Sequence, residues 1–187
     1  MSHHQSNSDP PLSEPEIMEQ AKHNLTAFVP IYEAYVDRIY AYCRHRVSSA
    51  QDAEDLTSQV FARAMARCRT YRGGSVGAWL FRIAYHITVD YYRDSTPAPL
   101  TDDALMMVTD HRNRPPLEEV VYREQLTLLK EWLADLSDEK RNLLLLRITG
   151  ELSAAEIGDI VGKSATAVRV EIHRIIQKLK QNALNYQ

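Results

Sequence analysis

Phe81, Arg82, Tyr85, His86, Val89, Tyr92 and Arg93 recur at intervals that place them along one side of a helix. Arginine binds phosphate, and aromatic rings stack on unpaired bases, so this mixture suits a single nucleic-acid strand. Arg72 stands a few residues upstream, beyond a glycine-containing stretch. A second set lies near the C-terminus. There, a step of about 100° per residue turns Thr166, Ala167, Val170, His173, Arg174 and Gln177 outward and leaves Arg169 at the margin, with Ser164 able to cap the helix. Arginine can read guanine or grip phosphate, and alanine or valine can pack on a thymine methyl group, which is the chemistry of major-groove recognition.

Other chemistries find little support. The chain has no glycine-rich phosphate loop, no paired zinc-binding histidines around a glutamate and no nucleophile beside a base. His3 and His4 sit on a polar tail, and Cys43 and His45 occupy different sides of a helix, so neither pair suggests a metal. No cofactor is expected, and the protein is not expected to be an enzyme. Cys43 and Cys68 each fall inside an apolar helical pattern and read as buried thiols. No apolar stretch approaches the ~20 residues of a membrane span, and the start of the chain lacks the features of a secretory signal. A cytoplasmic protein without membrane insertion is expected.

A net charge of -3 argues against nucleic acid until its distribution is read. Between Arg63 and Arg93 six arginines oppose Asp90, and between Lys163 and Lys180 five basic residues oppose Glu171. The compensating acid lies in the N-terminal tail, in Asp52, Glu54 and Asp55, and between Asp102 and Asp135. Two separate basic patches suggest two contacts with a polyanion.

The elements that carry these patches are helical. Residues 1–24 are polar, proline-containing and acidic and read as a disordered tail. A helix starts at about Phe28, with Phe28, Ile31, Tyr32, Tyr35, Ile39 and Cys43 inward. A second runs over about 52–69 with Ala53, Leu56, Val60, Ala64 and Met65 inward, and a third buries Leu80, Ile83, Ala84, Ile87 and Tyr91. Trp79 reads as core. These make a domain over 25–94. Residues 95–116, bracketed by prolines, read as an extended linker in which Leu105–Val108 could form a helical turn. A second domain covers 117–187. Its first helix turns Val121, Leu126, Leu129, Trp132, Leu133 and Leu136 inward; Ser137 can cap the next, whose run Leu143–Leu146 predicts burial on more than one side. Ser153 with Glu156 forms a capping box for a short helix that stops at Gly162. Ser164 opens the next, whose inward stripe is Val168, Ile172, Ile175, Ile176 and Leu179. The pair is a helix-turn-helix. The fold class is therefore all-α, two small helical domains joined by an extended linker, the C-terminal one a helix-turn-helix.

The segments DAEDLTSQVF (52–61) and GAWLFRIAYHITVDYYRD (77–94) resemble the second conserved region of extracytoplasmic-function sigma factors, in the sigma-70 superfamily. The segment LSAAEIGDIVGKSATAVRVEIHRIIQKL (152–179) resembles their fourth region, in the right order and at a suitable separation. The resemblance implies a protein that binds core RNA polymerase, directs it to promoters and assists melting. It assigns Arg72, Arg82, Tyr85, His86, Val89 and Arg93, with the loop Thr70–Ser75, to the minus-ten element. It assigns Ser164, Thr166, Ala167, Arg169, Val170, His173 and Arg174 to the minus-35 element. Asp52, Glu54, Asp55 and Gln59 would dock on the coiled coil of the polymerase's largest subunit, and the flap of the second-largest would be a further contact of the chain. The linker would thread toward the active-site and RNA-exit channel. Many members are held by an anti-sigma factor, a further partner on this reading. In the holoenzyme the protein would be nucleoid-associated.

Two residues depart from the family pattern: His86 where asparagine is common, and Glu171 where a basic residue is common on the recognition helix. The competing reading is a stand-alone helix-turn-helix regulator, which would bind its DNA without polymerase.

Overall fold

The computed structural model describes residues 12–47, 49–94, 132, 133 and 135–185. Among them the regular structure is all helical. Helix α1 spans Glu14–Ala21, and Ser13 opens it with a capping box: its backbone N–H and hydroxyl donate to the Glu16 carboxylate at 2.8 and 2.7 Å. A 3-10 turn, Leu25–Phe28, leads into α2, Val29–Arg44. Ser49 then caps α3, Ala50–Arg67, by accepting the Asp52 N–H at 3.0 Å. A further 3-10 turn, Cys68–Thr70, and a short loop precede α4, Val76–Asp94, where the Ser75 hydroxyl accepts the Ala78 N–H at 3.0 Å.

The second half begins with α5, Asp138–Ile148, succeeded by α6, Ala154–Val161, and α7, Ala165–Leu184. Ser153 and Glu156 form the expected capping box, and Gly162 ends α6 with φ +74, the left-handed conformation that glycine adopts without a Cβ penalty. Ser164 caps α7 by accepting the Ala167 N–H at 3.1 Å. The expected linker over 95–116, with its Leu105–Val108 turn, lies outside the described residues, as do Val121, Leu126 and Leu129 of the helix expected from Leu117.

Several expectations need correction. The tail read as disordered to residue 24 is helical over Glu14–Ala21, because Met18 and Ala21 are fully buried against the first domain. Two apolar anchors on a capped helix suffice, and a purely compositional reading overlooks them. Phe81, expected outward, is fully buried. Conversely, Tyr32, Met65 and Ile176, expected inward, are 45%, 39% and 37% exposed, since each lies at the margin of its helix's apolar stripe. Tyr32 meets buried Phe61 edge-on, with ring centroids 4.8 Å apart.

The two halves also pack on each other. Leu143, Leu145, Leu146, Leu152 and Ile157 join α2, α3 and α4 in one continuous apolar core. Arg38 on α2 fastens the junction: its Nε donates to the Thr149 carbonyl at 3.0 Å and its Nη2 to that of Gly150 at 2.6 Å, with the Glu151 carboxylate at 3.3 Å. A guanidinium at the C-terminal end of α5 also satisfies carbonyls that the helix leaves unpaired. Gly150 is needed there, because a Cβ would meet the Leu146 carbonyl at 2.5 Å and the Phe81 ring at 3.3 Å.

Candidate nucleic-acid and polymerase interfaces

Helix α4 is buried along two faces. Leu80, Ile83, Ala84 and Ile87 turn into the first domain, while Phe81 and Thr88 are covered on another side. Phe81 packs edge-on against Tyr42 at 5.7 Å and under the Arg38 guanidinium at 5.9 Å. What remains exposed is a stripe of Arg82, His86, Val89 and Arg93, with Asp90 beside it. At 100° per residue these four fall within about 60° of one another. Tyr85 flanks them half-buried, its ring 5.6 Å from that of His86. Tyr92 does not face outward freely: its hydroxyl donates to the Arg46 carbonyl and its ring lies 4.2 Å from the Arg46 guanidinium. Arg93 ion-pairs with Asp90 at 3.5 Å. Arg72 is exposed on the loop before α4, between buried Tyr71 and an exposed Gly73–Ser75 tip.

Helix α7 offers a broader face. Val168, Ile172 and Ile175 are buried, and Thr166, Ala167, Arg169, Val170, His173 and Arg174 are all exposed, with Ser164 at the cap. Val170, an aliphatic side chain, is 42% exposed in the middle of this surface. Glu171 points elsewhere. Its carboxylate pairs with Lys140 of α5 at 3.1 Å and with Arg174 at 3.8 Å, so it ties α7 to α5. The departure from a basic residue at this position therefore acts on how α7 is held.

On α3 the four acidic and amide residues divide. Asp52, Asp55 and Gln59 lie within about 60° on one face, and Glu54 is turned about 100° from Asp55. Glu54, Asp55 and Gln59 are exposed, whereas Asp52 is half-buried and accepts the Ser49 hydroxyl at 2.7 Å. Asp52 is thus partly spent on capping its own helix.

Residues 31–97 match the family model for sigma-70 region 2, and residues 132–181 that for sigma-70 region 4. The chain is 30% identical over 157 residues to RNA polymerase sigma factor YlaC of Bacillus subtilis, covering 81% of this chain and 89% of that one. It is 28% identical to the ECF RNA polymerase sigma factor SigW of the same organism, over 88% and 93% of the two chains. With the ECF RNA polymerase sigma factor BldN of Streptomyces coelicolor it shares 30% identity over 88% of this chain and 63% of BldN. This chain belongs to the extracytoplasmic-function sigma factors. The fold agrees: the structure of CnrH in complex with the cytosolic domain of CnrY superposes with a TM-score of 0.62 at 21% identity, over 91% of this chain and 96% of that one.

As a member of this family the sigma factor binds core RNA polymerase, directs it to promoters and takes part in initiation, and it is not an enzyme. No described helix is long and apolar enough to cross a membrane. Among the residues that sequence reasoning missed, those at the junction of regions 2 and 4 stand out. Arg38, Tyr42 and Asn142 are polar groups on otherwise apolar faces, and the Tyr42 hydroxyl lies 3.5 Å from the Asn142 Oδ1. That placement was the available signal. Burial tends to raise the Glu156 carboxyl, but hydrogen bonds from Ser153 and from Ser75 in region 2 outweigh it and hold the group below its ordinary value. The cap of α6 thus also touches the start of α4.

Proposed function

We propose that this sigma factor captures the separated strand at the minus-ten element with the α4 stripe and reads the minus-35 element with the outer face of α7. The carrying observation is the exposed row Arg82, His86, Val89 and Arg93, flanked by Tyr85 and isolated on a helix otherwise largely covered. Base stacking on aromatic or apolar side chains supplies roughly 1 to 3 kcal/mol per base, which serves strand opening without ATP. Arg72 extends the basic surface from the preceding loop. Asp55 and Gln59, with Asp52 and Glu54 at their edges, form the surface for the coiled coil of the largest polymerase subunit, and region 4 meets the flap of the second-largest. The protein acts in the cytoplasm, on the nucleoid, as part of the holoenzyme.

The test is permanganate reactivity of unpaired thymines in holoenzyme–promoter complexes. Ala at Arg82 or His86 is expected to leave core binding and closed complexes nearly unchanged, to reduce open complex, and to be compensated on a premelted bubble template. Unchanged reactivity in both variants, or a defect already present in core binding, would place the melting surface elsewhere. DNase footprinting adds a second check: the free protein is expected to protect no promoter at physiological salt, and a sharp footprint without core enzyme would favour the stand-alone regulator.

A further inference from the structure

The stretch Thr70–Ser75 before α4 has one buried side chain, Tyr71. Tyr71 acts as a staple: its hydroxyl donates to the Gly74 carbonyl at 2.6 Å, while Arg72, Gly73, Gly74 and Ser75 are exposed. Gly73 and Gly74 have φ of +90 and +91, so the tip has a backbone shape that two glycines allow. The Tyr71 ring meets Trp79 edge-on at 5.7 Å. The position of Tyr71 therefore sets the position of the tip.

Helix α1 and the residue after it surround that staple. The Lys22 ammonium lies 6.0 Å from the centre of the Tyr71 ring. The Lys22 carbonyl accepts Arg69 Nε at 3.2 Å, and the Ala21 carbonyl accepts the Cys68 thiol at 3.6 Å, so the two residues before Thr70 are both held by the end of α1. At the other end of α1, Glu14 accepts the Tyr35 hydroxyl at 2.9 and 3.0 Å, and Tyr35 abuts Gly77 in the first turn of α4. Met18, fully buried between these two ends, anchors the helix. One eight-residue helix thus holds the loop's N-terminal side directly and, through Tyr35, its C-terminal side.

We propose that α1 is a positioning element for the loop Thr70–Ser75, so that selectivity at the minus-ten element depends on Glu14, Met18 and Lys22 although α1 is not itself the reading surface. The inference rests on the assignment of this loop to the minus-ten element. It differs from a general stabilising role in its reach: loosening α1 shifts the tip relative to α4 without touching α7.

The experiment uses the full-length protein as holoenzyme, with Met18→Ala, Glu14→Ala and the conservative Met18→Leu, on promoters varied base by base at either element. Preference among minus-ten sequences is expected to narrow by about fivefold to tenfold in the first two variants, the scale of weakening one base contact. Met18→Leu should restore it, and minus-35 preference and core affinity should stay unchanged. Thermal unfolding monitored by circular dichroism shows that each variant is folded at the assay temperature. Equal loss at both elements, or full minus-ten selectivity in Met18→Ala and Glu14→Ala alike, would overturn the proposal. Arg72→Ala separates the two layers. If it too leaves minus-ten selectivity intact, the assignment of the loop fails and the inference with it; if it narrows selectivity while the α1 variants do not, only the role of α1 fails.

Discussion

Helices α4 and α7 carry the two surfaces proposed to face DNA, yet they are built in opposite ways. Helix α4 is enclosed by region 2 on one side and approached by region 4 on another, and its exposed surface is a narrow stripe. Helix α7 rests on a narrow apolar seam of Val168, Ile172 and Ile175 and leaves most of its circumference to solvent. Substitutions on α4 therefore risk the fold unless they fall on the stripe, whereas α7 can vary its surface at small structural cost. In the proposed roles, a helix that holds a melted strand gains from rigidity, and one that chooses a promoter gains from surface that can change.

The largest effect that could break this contrast is at Phe81. Phe81→Ala should destabilise the protein by about 3–5 kcal/mol, as expected for a fully buried aromatic, while Ile176→Ala on α7 should stay within about 0.5 kcal/mol. Urea unfolding of both variants checks the pair, and similar costs would remove the distinction.

Next comes the crowded end of α2 beside α4. Burial, reinforced by Arg44, pushes the His45 imidazole down to about 4, and its Nε2 has no hydrogen-bond partner. The unfolded chain then binds more protons than the folded one below the ordinary value near 6.5, so stability should fall as pH drops from about 6.5 toward about 4, by up to about 3 kcal/mol. His45→Gln should flatten that part of the pH–stability curve. A wild-type curve with no slope there would show that His45 is solvated.

On α7, Arg169→Ala or Arg174→Ala should weaken minus-35 recognition by about 1–3 kcal/mol if a base contact is lost, without changing global stability. A loss spread evenly over all sequences, with a shallower salt dependence, would mark the residue as a phosphate contact. Competition binding of holoenzyme to promoter variants at several salt concentrations distinguishes them. The smallest effect concerns the tie between α5 and α7: Glu171→Gln should cost about 0.2–1 kcal/mol in thermal unfolding, since the pair with Lys140 is half-exposed.

Local signals in the sequence carried most of the helices. The capping box at Ser153 and Glu156, the left-handed stop at Gly162 and the cap at Ser164 each depend on neighbours within a few residues, so the helix-turn-helix and its outward face were readable directly. Arg82, His86, Val89 and Arg93 came from spacing alone. Phe81 was misplaced because its burial comes from Tyr42 and Arg38, about forty positions away, and from the chain around Gly150, about seventy away, and periodicity within α4 has no access to them. The same holds for Arg38, whose partners are the carbonyls of Thr149 and Gly150. Helix α1 was lost in the averaged polarity of its surroundings, although Ser13, Glu16 and Met18 held the signal.

The two cysteines turn this architecture into a pair of clocks. Cys43 is sealed within the core, with its thiol pushed up to about 12 by burial, whereas Cys68 is sealed beneath the last turn of α1 through the Ala21 carbonyl. A thiol-specific reagent should reach Cys43 only when region 2 opens as a whole, but Cys68 as soon as α1 lifts. The ratio of the two labelling rates thus measures the fastening of one small helix against the cohesion of the domain beneath it, with no probe added to the chain.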